Sequence, residues 1–443
     1  MKIRVIKSTL LITFCSLFLT CQSQQEFVKV KDTNFTIDGK THHFVGANFW
    51  FGAYLGADTD YGNRPRLIRE LDQLKKNGIT NLRVVAASEE SDYGLPLSPP
   101  FQYKNGTYNE KLLEGLDFLL DEMGKRDMHA VMVLNNNWDW SGGMGQYVSW
   151  INKTPVIDPS VNKNETWNDY LKEAGKFYEL QEAQDIYRKY IKMIVNRTNT
   201  FSKKMYNNDP AIMSWQLANE PRPSVDGDPE GKMKIFTKWV DGTAAYIKSM
   251  APKQLVSTGS EGSQGTLNSL EFTYRAHSGK NIDYVTFHMW PKNWAWYKAE
   301  APDMENAKKK TVAYFDEHLA LAKKLNKPIV MEEFGFVRDG EKFSPDSPTT
   351  ARDEYYTFVL DLLKNSVKNN GTLGGLNFWG WGGEGRGQQK DYMWKKGDIS
   401  FTADPYSEAQ GLNSIYNTDK STIELINKSA KEIQELSRKS DQK

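Results

Sequence analysis

Two short apolar runs in the C-terminal half end abruptly in a carboxylate: MSWQLANEPRP, which carries Glu220, and IVMEEFG, which carries Glu333. Pro221 stiffens the turn after the first, and Gly335 lets the chain leave the second sharply. A carboxylate at the tip of a buried strand is costly unless it is paired or used. Two such tips suggest two carboxylates facing each other across a cleft. That is the minimum equipment for splitting a glycosidic bond.

The elements that must hold these tips alternate along the chain. Short apolar runs at 44–49, 80–86, 129–134, 212–219, 254–258, 283–288, 328–333 and 374–379 read as strands. Between most of them lie stretches with helical spacing. Leu67, Leu71 and Leu74 are one, stopped by Gly78; others are 111–125, 182–206, 233–250, 306–325, 355–369 and 422–437. Such β/α alternation implies a parallel sheet. Eight units without a Gly-rich dinucleotide signature favour a closed (β/α)8 barrel, with Glu220 ending strand four and Glu333 ending strand seven. The surplus length after strands three, four, seven and eight falls on the face where barrel active sites form. Ahead of the barrel, 27–49 alternates like a strand pair with Asp38-Gly39 as its turn.

The 443 residues carry 57 Lys+Arg against 56 Asp+Glu. With no basic stripe, nucleic acid is not an expected partner. The 13 Trp and 21 Tyr exceed the needs of a core and suit stacking on flat neutral ligands such as sugar rings. The 6 His are scattered, with no His-x-x-x-His helix, no cysteine cluster and no P-loop, so neither metal nor cofactor is expected. At the N-terminus, Lys2, Arg4 and Lys7 precede an apolar run and then QSQQE, the pattern of an export signal. Both cysteines, Cys15 and Cys21, fall in it, and Cys21 sits where a lipidated cysteine would. The expected organisation is a signal at 1–21, a tether at 22–27 and a single monomeric catalytic domain at 28–443, exported and either secreted, periplasmic or anchored at the outer membrane as a lipoprotein through Cys21.

LANEPRP and EEFG resemble the acid/base and nucleophile motifs of glycoside hydrolase clan A. GANFWFGAYLG, GITNLRVVAAS, NNNWDWSGGMGQYVSW, FHMWPKNWAW and GLNFWGWGGEGR resemble, in the same order, the endo-β-1,4-mannanases of glycoside hydrolase family 5, in a bacterial form. The similarity runs from about Phe44 to the last helix.

The resemblance implies roles residue by residue. Glu220 would be the acid/base and Glu333 the nucleophile. Glu332 would then face away from the sugar as a structural or supporting acid, because alternation turns neighbouring side chains to opposite sides. Arg83 would contact the nucleophile and lower its pKa, and Asn219 would bond the sugar 2-hydroxyl. His288 and Trp290 match a family His-x-Tyr pair. With tryptophan in the tyrosine position, the indole N–H can only donate, so Tyr297 is an alternative source of a hydroxyl. Trp379 would lie under the sugar next to the cleaved bond. Trp138 and Trp140 are candidate sugar platforms, Arg222 belongs to the leaving-group side, and Glu261 could contact a hydroxyl.

The implied activity is endo-acting, retaining hydrolysis of β-1,4-mannosidic bonds in mannan, glucomannan or galactomannan. A raised Glu220 pKa would come from its apolar surroundings. A β-1,4-glucanase or exo-mannosidase on the same fold is the nearest alternative, and a non-catalytic glycan-binding lipoprotein is the more distant one.

Overall fold

Eight strands that are buried along their whole length form the centre of the molecule: β1 (Phe44–Asn48), β2 (Asn81–Val85), β3 (His129–Val133), β4 (Ile212–Gln216), β5 (Leu255–Ser257), β6 (Val285–Met289), β7 (Ile329–Phe334) and β8 (Leu373–Phe378). Strands covered on both faces read as continuous apolar runs, which is why the sequence exposes them so plainly. The structure, a computed structural model, describes residues 25–440. The signal segment, with Cys15 and Cys21, lies outside the described residues.

All pairings in this sheet are parallel, in the order β5-β4-β3-β2-β1-β8-β7-β6. Between β5 and β6 the ladder gives way to individual bonds. Asp283 N donates to the Val256 carbonyl at 2.9 Å, and Val256 N donates to the Asp283 carboxylate at 2.6 Å. The barrel is therefore nearly, not fully, closed by strand pairing.

The expected helices are present, with one clear difference. The helix expected over 182–206 is Gln181–Val195. Beyond it, Asn199 Oδ1 accepts from the N–H groups of Phe201 and Ser202, and buried Asp117 binds Arg197, Thr200 and Tyr206. An amide that satisfies the backbone locally replaces the helix with a turn. The insertions also hold three helices not anticipated: Gly143–Asn152, Trp167–Gly175 and Leu270–His277. The expected N-terminal strand pair is a three-stranded antiparallel sheet, Lys29–Lys31, Asn34–Ile37 and Lys40–His42, beneath the barrel. Phe35 from this sheet packs with Phe44 and Tyr284 and plugs the barrel floor.

Candidate active site

From the middle of β2, Arg83 organises the mouth of the barrel. Its Nη1 donates to Glu333 Oε1 and to Asn48 Oδ1 (3.2 Å), Nη2 to Asn219 Oδ1 (2.6 Å) and Nε to Gln216 Oε1 (2.7 Å). The planar fork of a guanidinium fits four such acceptors on different strands at once. Asn48 and Gln216 were not anticipated as site residues. Each is a lone polar group near the end of an apolar strand, a signal that only the pairing makes readable.

The pairing of β7 with β6 shifts register between Met331 and Glu333. This irregularity overrides strict alternation, so Glu332 does not turn away from the barrel as expected. It points into the interior, where Gln216 Nε2 lies 2.7 and 2.6 Å from its two oxygens and the Tyr284 hydroxyl donates at 3.3 Å. Glu333 sits above it and also accepts from Trp290 Nε1 at 3.1 Å. The indole thus reaches the position expected of a tyrosine hydroxyl. Tyr297 instead packs on Phe336, with ring centroids 4.5 Å apart.

Glu220 lies four residues past β4 with φ +50, a left-handed backbone that is unusual for a side-chain-bearing residue and tends to mark functional turns. Its N–H is fixed by the Gly259 carbonyl at 2.9 Å. One carboxylate oxygen meets His288 Nδ1 at 2.6 Å and the other meets Trp138 Nε1 at 2.5 Å. His288 Nδ1 is also 3.3 Å from Glu333 Oε2. One oxygen each from Glu220 and Glu333 and a nitrogen of His288 all lie within 4.8 Å of one another.

Burial pushes the Glu220 carboxyl up, but the hydrogen bond and charge of His288, the charge of Arg222 and the Trp138 N–H outweigh it and hold the group below the usual range. Burial raises Glu333, and there the favourable charges of His288 and Arg83 do not fully offset it. Both directions are the reverse of expectation, because His288 carries the positive charge between the two. Burial opposes that charge, yet Glu333, Glu220 and Glu332 together push the imidazole up to about 10. The lowered Glu220 carboxyl and the raised imidazole place the proton of the His288–Glu220 hydrogen bond on the imidazole side.

The flanking candidates divide. Asn219 uses its carbonyl on Arg83 and donates to Asn136 Oδ1 at 3.1 Å, leaving one amide hydrogen for a ligand. It lines a small cavity with Arg83, Trp50, Trp140 and Trp379. Trp379 meets Trp290 edge-on at 6.0 Å. Trp138 departs from the platform role: the Arg222 guanidinium covers its ring at 4.9 Å and Tyr170 runs parallel to it at 6.2 Å. Its indole N–H is spent on Glu220. Arg222 and Glu261 are not solvated charges. They pair at 2.6 Å, and burial pushes Glu261 up to about 7.

Among the described residues, Glu220, His288 and Glu333 are the one group that brings three possible metal-ligand atoms together. Arg83 already sets a fixed cation against Glu333, and a protonated Nδ1 offers no lone pair. The arrangement suits proton transfer and attack by a carboxylate better than it suits an ion.

A family model described as GH family 5 beta-mannosidase-like matches residues 25–438. The chain is 30% identical over 367 residues to mannan endo-1,4-beta-mannosidase 4 of Solanum lycopersicum, covering 81% of this chain and 84% of that protein. It is likewise 30% identical to mannan endo-1,4-beta-mannosidase 7 of Arabidopsis thaliana, covering 80% and 77%. The crystal structure of a glycoside hydrolase family 5 mannosidase from Rhizomucor miehei superposes with a TM-score of 0.85 at 36% identity, covering 94% of this chain and 100% of that one. An endo-1,4-beta-mannanase from the same fungus shares the fold, with a TM-score of 0.67 at 21% identity, covering 93% and 100%.

Proposed function

Because the chain belongs to glycoside hydrolase family 5, in its β-mannosidase-like group, we propose that it hydrolyses internal β-1,4-mannosidic bonds of mannan, glucomannan or galactomannan with retention of anomeric configuration. The observation that carries the mechanism is the separation of the carboxylates. Oxygens of Glu220 and Glu333 lie within 4.8 Å. Retaining enzymes hold the pair about 5–5.5 Å apart, and inverting enzymes need about 6.5–9.5 Å to admit a water. Glu333 attacks the anomeric carbon, steadied by Arg83 and Trp290. Glu220 passes to the departing oxygen a proton drawn from His288 Nδ1, then accepts one back from the water that releases the sugar. Asn219 offers its remaining amide hydrogen to the 2-hydroxyl, and Trp379 lies under the ring. The names of the plant relatives support mannan as substrate.

A second reading is exo action releasing single mannose units, favoured by the 36% identity to a mannosidase. Both are decided by one digest. Mannohexaose followed by NMR should give β-anomers first and a ladder of shorter oligomers. Mannose alone as the first product selects the exo reading, and α-anomers overturn retention. Glu333→Ala and Glu220→Ala should each abolish release of oligosaccharides, and full activity in either overturns the assignment. We further propose export through 1–21, attachment at Cys21, a tether at 22–27 and one catalytic domain, 28–443, acting as a monomer. Metabolic labelling with a fatty acid and a Cys21→Ala variant test the anchor.

A further inference from the structure

β7 delivers two consecutive glutamates into the barrel, and the lower one is buried against Gln216 and Tyr284. We infer that Glu332 is a positioning residue that keeps His288 charged and so keeps a proton within reach of Glu220; this rests on the glycosidase reading above.

The geometry follows from the β7 register shift, which turns both side chains inward. His288 spends Nδ1 on Glu220 and Glu333 at the top. Its buried Nε2 has no hydrogen-bond partner among the described residues and faces Glu332 Oε2 at 4.0 Å. Glu332 is held in place: Gln216 Nε2 binds both oxygens and Tyr284, the residue before β6, donates a third bond.

Charge balance gives that contact its consequence. The charged groups around the imidazole are Glu220 beyond β4, Glu332 and Glu333 on β7, and Arg83 on β2, with Arg222 paired to Glu261. Glu408, from the chain after β8, is pushed up to about 8 by burial and by Asp404, Glu333 and Glu220, so it adds no negative charge near neutral pH. Glu220, Glu332 and Glu333 are three carboxylates facing Arg83 and His288, and together they favour the charged imidazole whose Nδ1 proton lies on Glu220. Removing the charge on Glu332 removes one of the three, so the proton that the leaving group needs is lost from His288 at lower pH. An opposite charge at this range typically moves a titration by about 1–3 pH units.

The experiment is nitrogen NMR of the histidine side chains in the full protein, with the His288 signals assigned by their loss in His288→Gln. In the native protein the imidazole should remain doubly protonated at pH 8. In Glu332→Gln, which keeps shape and removes charge, His288 should titrate about 1–3 pH units lower. The alkaline limb of kcat should move with it while KM changes less than threefold, and Glu332→Asp should recover part of the shift. Identical His288 titrations in the native and Gln proteins would overturn the inference, as would a loss of kcat uniform across pH. If Glu332→Gln does not fold, Glu332→Asp carries the test: its shorter carboxylate must shift His288 in the same direction, and an unmoved titration sinks the idea. Because the NMR readout needs no turnover, absence of mannoside cleavage would count against the proposed function and leave this inference standing or falling on the titration alone.

Discussion

At the scale of single residues, hydrogen-bond donors do the work that charge alone could not. Trp290 donates one bond to Glu333, at the oxygen that Arg83 does not hold, and Trp138 donates one to Glu220, at the oxygen that His288 does not hold. A hydrogen bond to a charged group contributes about 1.5–3 kcal/mol. Trp290→Phe keeps the ring that meets Trp379 and should lower kcat/KM roughly 10–100-fold with little change in Tm. Steady-state kinetics alongside thermal melts check both halves. Trp138→Phe preserves the layer between Arg222 and Tyr170 but releases one restraint on the Glu220 carboxylate. Since that N–H helps hold the group below its usual range, its removal should move the pH profile of kcat/KM upward. An unmoved profile would mean that His288 alone sets the protonation of Glu220. The identities of Glu220, Glu333, Arg83 and Trp290 were legible in the sequence because their neighbours are distinctive. The fate of Trp138 was not, since Tyr170 and Arg222 come from segments 32 and 84 residues away and only the fold stacks them.

At the scale of elements, strands were easier to read than helices for a physical reason. The barrel strands are covered on both faces, so their apolar runs stand out. Gly143–Asn152 is buried almost throughout and so shows no polar face, and Trp167–Gly175 is only nine residues long. The register shift in β7 was invisible because a period of two was assumed throughout, and that assumption sent Glu332 to the wrong side. Two elements invite tests. The floor sheet places His42 against His129 at the start of β3, with ring centroids 6.0 Å apart. Desolvation and neighbouring positive groups push His42 down to about 3; desolvation, with Lys75 nearby, pushes His129 down to about 4. A histidine held neutral by folding gives its full stability above the unfolded value near 6.5 and loses it as pH falls through the folded value. Between pH 6.5 and 4, the native protein should therefore lose on the order of 2–3 kcal/mol per such group. His129→Leu should flatten that slope in urea titrations at pH 7 and 4.5. Buried Glu70, in the helix Arg64–Lys76, takes bonds from Arg66 Nε (2.9 Å), Trp381 Nε1 (2.8 Å) and Glu384 N (2.8 Å). It ties the chain after β8 to the first outer helix. Glu70→Ala leaves Arg66 without its buried partner and should cost about 3–5 kcal/mol, read as a lower denaturant midpoint.

At the scale of the whole molecule, the two ends of the chain complete the barrel together. The last helix, Lys420–Ser440, buries Ile426, Ala430 and Ile433. Along its length it meets three separate elements. Asn427 donates to the Lys76 carbonyl at 3.2 Å, Lys364 reaches Glu432 at 3.0 Å, and Ser437 donates to the Thr41 carbonyl at 3.0 Å while meeting His43 Nδ1 at 2.9 Å. It therefore clasps the helix after β1, the helix Thr350–Lys368 and the floor sheet at once. Those are the elements on either side of the β1–β8 pairing that joins the beginning of the barrel to its end. Losing two buried isoleucines forfeits about 1.5–3 kcal/mol each, before the partners they leave exposed are counted, against a typical total of about 5–15 kcal/mol. Truncation after Asp419 keeps the Arg338–Asp419 pair (2.6 Å) and every proposed catalytic group. It should nonetheless abolish the single cooperative melt and activity together, with the intact chain as reference in calorimetry. A truncated protein that still melts in one transition near the native Tm would show that the barrel closes without its clasp.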